Sequence, residues 1–595
     1  MTARGILLVT TAFCGVTAAA AVSQTEAPAR PDAANELLDP ARVAASACRG
    51  ANKRNELFKR GPTLAALLAP AEAAAPDRPP LLDDLGTLTM KVTTGSAEAQ
   101  AYFDQGLRLA FGFNHPEAIR AFEAAQAADP TCAMCYWGEA YALGPNINAP
   151  MAPESVGPAF AAIAQAQALA GTANPHEQAL IRAMARRYSA DPAADRATLD
   201  TAFADAMAEV HAGAPGDATI AVLAADAAMN TQPWDFWAVD RRTPKGRTAE
   251  ILAALERALE LDPNHPGAIH LYIHTVEASS TPERAERYAE RLATQMPGVG
   301  HVVHMPSHIY FRVGRYLDSL SANKAAVAAD HAYFEQVGFQ PGAYRYGYHP
   351  HNVDFLIASA RMAGDSASAL DASEGLNDLI PDDFAEQVQW VQVIKATPLF
   401  AHAQFSEPAT VLALPDPGQR FPFVRAMWHY ARAVAAAGAG DVDTARTEAE
   451  AMERISATAD LTGLEEGGVP AADVLRIAAL VVDGRIAQAE GDFTPAAEAF
   501  GKAAEIQSGL AYMEPPYWYY PVARSEGAAL LQAGEAERAI GVFQKSLIDT
   551  PNDAYALYGL MRAQRAVGDD AAASVAAERF AKSWAGDGEP DLAGI

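Results

Sequence analysis

The sequence predicts an all-α solenoid of helical hairpins, and three observations lead to that class. Alanine and other strong helix formers run through nearly every segment. No run of alternating apolar and polar residues marks a strand, and neither a GxGxxG nor a Walker sequence is present. A short signature recurs instead: a glycine where two helices turn, then an alanine five residues later.

The first residues read as a secretory signal. Arg4 supplies a positive start, ILLVTTAFCGVTAAAAV follows, and small residues near Ala20 and Ala21 offer a cleavage point, so residues 1–21 are expected to be removed. The apolar stretch is short for a membrane span, and no later run is long and apolar enough for one. Phe13 is a poor residue before a lipidated Cys14. A periplasmic or secreted location is therefore expected. Residues 22–85 are rich in Ala, Pro and charge and read as a leader and linker.

The composition of the 595 residues narrows the function classes. Half are hydrophobic, which is ample for a large core. The net charge of −28 argues against nucleic-acid binding and against adhesion to anionic lipid. After cleavage Cys48, Cys132 and Cys135 remain, an odd number whose pairing the sequence leaves open. Cys132 and Cys135 form a CxxC at the start of a helix, where the dipole lowers thiol pKa. A redox or metal role is one reading of the pair; two small buried cysteines facing the next helix is the plainer one. No CxxCH is present to attach haem.

Structured periodicity begins near Thr94. AYFDQGLRLAFGFNHPEAIRAFEAAQAADP matches the tetratricopeptide template, with Gly106 and Ala118 small where two helices cross, Phe122 filling the groove to the next unit and Pro130 ending it. The shorter signature returns at Gly364/Ala369, Gly440/Ala445, Gly491/Ala496, Gly534/Ala539 and Gly568/Ala573, with Phe500 and Phe543 as groove-filling aromatics. A degenerate copy surrounds Gly314 and Tyr316. Two helical regions are expected, 86–365 and 366–595, the first containing a histidine-rich segment.

Nine of the fourteen histidines lie between His265 and His351, where even scatter would put about two. His270, His274 and Glu277 stand at i, i+4 and i+7, on one face of a helix. His301, His304 and His308 follow about one repeat later, and His349 and His351 about one repeat after that. Equivalent positions in stacked repeats line one groove, so these residues are expected to converge. Several imidazoles with a carboxylate suit Zn, Cu or non-haem Fe. Pro306 suggests a helix starting near Met305, with His301 and His304 in the approach loop. Pro350 disfavours helix for His349 and suggests a helix entrance with Asn352 as cap, while Tyr346 and Tyr348 alternate as in an extended loop.

Singly, each histidine is better explained as an interior or groove residue donating to a backbone carbonyl; it is the grouping that points to a metal or proton-transfer site. Tyr310, Arg312, Tyr346 and Tyr348 are candidate ligand-binding residues, as are Trp234 and Trp237 around Asp235, which also suit an inter-repeat turn. YMEPPYWYYPVARS reads as a rigid loop lining the concave face or an inter-repeat brace.

Together FDQGLRLAFGFNHPEAIRAFEAAQAADPTCAMCYWGEAYALGPNIN, GAIHLYIHTVEAS, PGVGHVVHMPSHIYFRVGRY and EPPYWYYPVARSEGAALL make the chain resemble a group of secreted bacterial tetratricopeptide-repeat proteins, over about Leu85 to Leu560. The resemblance implies the fold and export, and assigns no activity or catalytic residue. Cys135 departs from the small residue usual there. Two functions follow from these readings: a scaffold binding a protein or small ligand in its concave groove, with a histidine-rich metal-binding centre, or a metal-dependent enzyme using His270, His274, His304 and His308.

Overall fold

The computed structural model describes residues 78–191, 193–338 and 342–595; the expected signal peptide, most of the leader, Cys14 and Cys48 lie outside them. The described residues form α-helices joined by short turns and 3-10 segments, with two isolated bridges and no strand. The all-α expectation holds. No described helix is long and apolar enough to cross a membrane.

The first hairpin shows how the repeat letters work. Ser96 caps Ala97–Phe111 through the Ala99 amide, and Pro116 sits in the first turn of His115–Ala128. Phe122, fully buried, lies against Gly106 of its own hairpin and Gly138 of the next helix, Ala133–Ala142. A Cβ on Gly106 would stand 2.7 Å from the Phe122 ring, and one on Gly138 2.3 Å. The ring thus occupies space that any side chain at either position would fill. Phe543 repeats the arrangement between Gly527 and Gly559, and Phe500 packs on Gly484.

The turn signature has a backbone cause. Gly364, Gly440, Gly491, Gly534 and Gly568 all have φ between +78° and +83°, a conformation that closes a helix end and that a Cβ disfavours. The alanines five residues later are buried against the preceding helix.

One core runs from Leu82 to Tyr344 and another from Ala396 to Ile595. A smaller core from Leu320 to Val424 lies between them in sequence, and the division expected at residue 365 falls inside it. The C-terminal repeats fold back on the middle of the chain: Ala585 N–H donates to the Ala363 carbonyl, Arg361 to that of Tyr519, and Asn552 to that of Gly314. This return converts the groove at the histidines into a roofed chamber. Cys132 and Cys135 are both fully buried and joined as a disulfide.

Candidate metal centre

The Pro266–Val276 helix starts on a cap formed by the His265 ring and presents His270 and His274 on one face, with Glu277 at its end. Two short helices, Gly300–His304 and Pro306–Arg312, face it. His301 and His304 are therefore helical, contrary to the loop expected before Pro306. Met305 keeps helical angles (φ −52°, ψ −36°), and a proline at the next helix's first position needs no amide partner. His301, His304 and His308 consequently share one face. His349 is helical too (φ −63°, ψ −49°), and the tyrosine stretch forms a π-helical turn, Tyr344–Tyr348, in place of an extended loop. Asp330 explains this turn: it accepts hydrogen bonds from Tyr344, His349 and Asn352, pulling all three inward. Asn352 is thereby a partner of Asp330 and not a helix cap.

Six imidazoles converge in two sets. In each set one ligand atom per residue lies within 4.8 Å of the others: His270, His274 and His301 in the first, His304, His308 and His351 in the second. His349 belongs to neither set, and its Nδ1 is hydrogen-bonded to Asp330 at 2.9 Å.

The hydrogen bonds behind the first set determine where its lone pairs point. His270 Nδ1 donates to the Phe111 carbonyl at 2.6 Å, and His274 Nδ1 to Glu277 Oε1 at 2.9 Å. A carbonyl and a carboxylate only accept, so both Nε2 atoms hold lone pairs. Neither Nε2 has a partner, and neither nitrogen of His301 has one. An unpartnered polar atom in the interior costs about 1–3 kcal/mol, and here several stand together.

Glu277 ties the two sets together. Its Oε2 accepts from His308 Nδ1 at 2.6 Å and from the Tyr512 hydroxyl at 3.2 Å, while Arg312 donates to its backbone carbonyl. Both carboxylate oxygens are engaged by imidazoles, and Glu277, His308 and Glu514 themselves form a third set with one ligand atom each within 4.8 Å of the others. Glu514 Oε2 lies 3.2 Å from His308 Nδ1, a weaker contact than that to Glu277. Burial works against charge on Glu277, but His308 and the imidazole hydrogen bonds outweigh it and hold the carboxyl well below its usual range. Burial likewise opposes charge on His308, yet Glu277 and then Glu514 raise it to about 10. Burial, reinforced by neighbouring imidazoles, pushes His270, His301 and His304 well below the ordinary histidine value, and His351 to about 3. Burial also lowers His274 and raises Glu514.

A cavity of about 220 Å³ opens beside this cluster. His274, His301, His308, His351 and Glu277 contribute to its lining together with the apolar Phe384, Trp390, Val393, Ile394 and Phe400 and the charged Asp354 and Arg361. The segment Tyr512–Glu514 separates it from a second cavity of about 680 Å³.

The sequence-derived ligand-binding candidates divide. Trp234 and Tyr348 line the chamber, with Trp234 5.0 Å from the His274 ring and Tyr348 4.6 Å from that of His301. Arg312 braces Glu277 from behind. Trp237 donates to the Thr275 carbonyl, Tyr310 lies under Arg315, and Tyr346 packs on Phe384; none of these three lines the chamber. Phe113 and Asn323 are participants that sequence reasoning did not select, while Tyr512 and Glu514 belong to the YMEPPYWYYPVARS segment read as lining the concave face. Phe113 has φ 58° and wedges its ring within 5.8 Å of those of His270, His274 and His301. Its position in FGFNHPEA, just before a helix-starting proline, is the only local signal.

Fold and site define an all-α helical-repeat protein with a buried polyhistidine chamber. The sequence matches no family profile and no curated protein. Among solved structures, the human IFIT1 dimer with m7Gppp-AAAA is 11% identical, covering 92% of this chain and 99% of that one, with a TM-score of 0.28. Yeast Tom70 is 11% identical over 81% of this chain and 90% of its own, with a TM-score of 0.24. The P58(IPK) TPR domain is 12% identical over 79% and 98%, with a TM-score of 0.21. These scores are low, and the fold assignment stands on the helix packing described above.

Proposed function

We propose that this chain is an exported helical-repeat scaffold that binds a transition-metal ion through His270, His274 and His301 and admits a small ligand to the chamber beside it. The observation supporting the metal is the set of buried, unpartnered ring nitrogens, backed by a carbonyl on His270 and a carboxylate on His274. Such outer partners orient imidazole ligands and raise their basicity. Three imidazoles suit Zn, Cu or Fe and leave a coordination position free. A second reading, a metal-dependent enzyme, is favoured by one observation: His274 and His301 border the cavity, so the free position would face bound substrate. Export is supported by the signal-like residues 1–21, and the mature N-terminus is expected near Ser23. N-terminal sequencing from the native host checks this, and an intact Met1 in a cytoplasmic fraction contradicts it.

Glu277→Gln tests the metal reading at nearly constant volume. The amide oxygen still accepts from one imidazole, but its NH2 meets the Nδ1–H of the other. Loss of such an outer partner weakens metal binding by about 10–100-fold. Equilibrium dialysis against Zn2+ should show that drop. Equal affinity in the variant, or none in either protein, would falsify the metal reading.

A further inference from the structure

We infer that His304, His308 and His351 hold a second metal ion, making the cluster a two-metal centre whose ions share Glu277 as their outer carboxylate. This rests on the reading of the first set as a metal site and goes beyond it.

The geometry of the second set is its own argument. Asn323 Nδ2 donates to the Ser319 carbonyl at 2.8 Å, which turns its Oδ1 toward His304 Nδ1 at 2.6 Å. His304 Nδ1 therefore carries the proton, and its Nε2 presents a lone pair. His308 Nδ1 is likewise a donor, to Glu277 Oε2. The two Nε2 atoms are hydrogen-bonded to each other at 2.8 Å, so one of them carries a proton that an ion binding here would displace. Displacing that proton leaves both nitrogens free for one ion, a ligand atom of His351 lies within 4.8 Å of theirs, and the His351 ring lies 4.8 Å from that of His304. The Phe355 ring, 5.1 Å from both His304 and His308, closes the apolar side.

The link between the sets is equally specific. One oxygen of Glu277 orients His274 of the first set, and the other orients His308 of the second. Rings of the two sets are adjacent, with His274 5.7 Å from His308 and His301 5.9 Å from His304. His308 and His351 line the same chamber as His274 and His301, so both ions would border one ligand space. Imidazole donors of this kind select first-row ions such as Zn2+ or Co2+ over Mg2+ or Ca2+.

The test counts ions in the full chain loaded with Co2+ alone and dialysed, with visible absorption to report coordination and circular dichroism to report fold. The wild type should retain two ions. His304→Ala and His351→Ala should each retain one, with half the ligand-field absorption; His351 is partly exposed and is the safer variant if His304→Ala does not fold. A wild type holding one ion that survives both substitutions overturns the second site and leaves the first standing. Two ions retained in both variants also overturn it, and a wild type holding none overturns both sites.

Discussion

Replacing His270 and His274 together by alanine is expected to abolish retention of the first ion while leaving helix content largely unchanged. Two of its three ligands are lost, and an ion held by one imidazole competes poorly with water and buffer. A drop in affinity of at least about 1,000-fold is expected, well beyond the effect of altering an outer partner. The helix should survive because its start depends on His265 and Pro266, and its flanks on apolar neighbours such as Ile269 and Ile273, which are fully buried. Alanine is also the best helix former. Circular dichroism and metal analysis on one sample separate the outcomes. Unchanged first-site affinity would mean that the converging nitrogens are only interior histidines.

The largest effect on stability is expected at Phe122. Its ring fills the space between Gly106 and Gly138 and meets Phe103 edge-on, with centroids 5.5 Å apart. Neither glycine has a side chain that can collapse into the gap left by alanine. Phe122→Ala should therefore cost about 3–5 kcal/mol, the range for a buried Phe truncated in a site that cannot relax. Denaturant unfolding followed by circular dichroism should show an earlier transition for the N-terminal repeats. A shift worth under about 1 kcal/mol would mean that the ring is not wedged as described.

The repeat pattern was legible because its physics is local. A helix closing on left-handed glycine and a crossing that admits only alanine impose fixed offsets, and Gly440/Ala445 or Gly534/Ala539 can be read from these alone. The histidine face at 270, 274 and 277 follows from helical periodicity in the same way. The failures share a cause as well. Pro306 and Pro350 obey statistical preferences of the local chain, but Asn323 and Asp330 on the Tyr316–Val337 helix hold His304 and His349 in helical positions through buried hydrogen bonds. Tertiary contacts therefore overrode the local rule. Separating His349 from His351 required knowing that Asp330 faces the first of them. YMEPPYWYYPVARS is legible as a loop lining the groove, but its pattern does not reveal that Tyr512 and Glu514 meet Glu277 and His308, more than 200 residues away in sequence.

X-ray absorption on the metal-loaded chain addresses the central claim most directly. Bound Zn2+ should show nitrogen neighbours at about 2.0–2.1 Å, with the outer-shell scattering of several imidazole rings per ion. Coordination by oxygen alone, without imidazole scattering, would contradict a metal centre built from His270, His274 and His301.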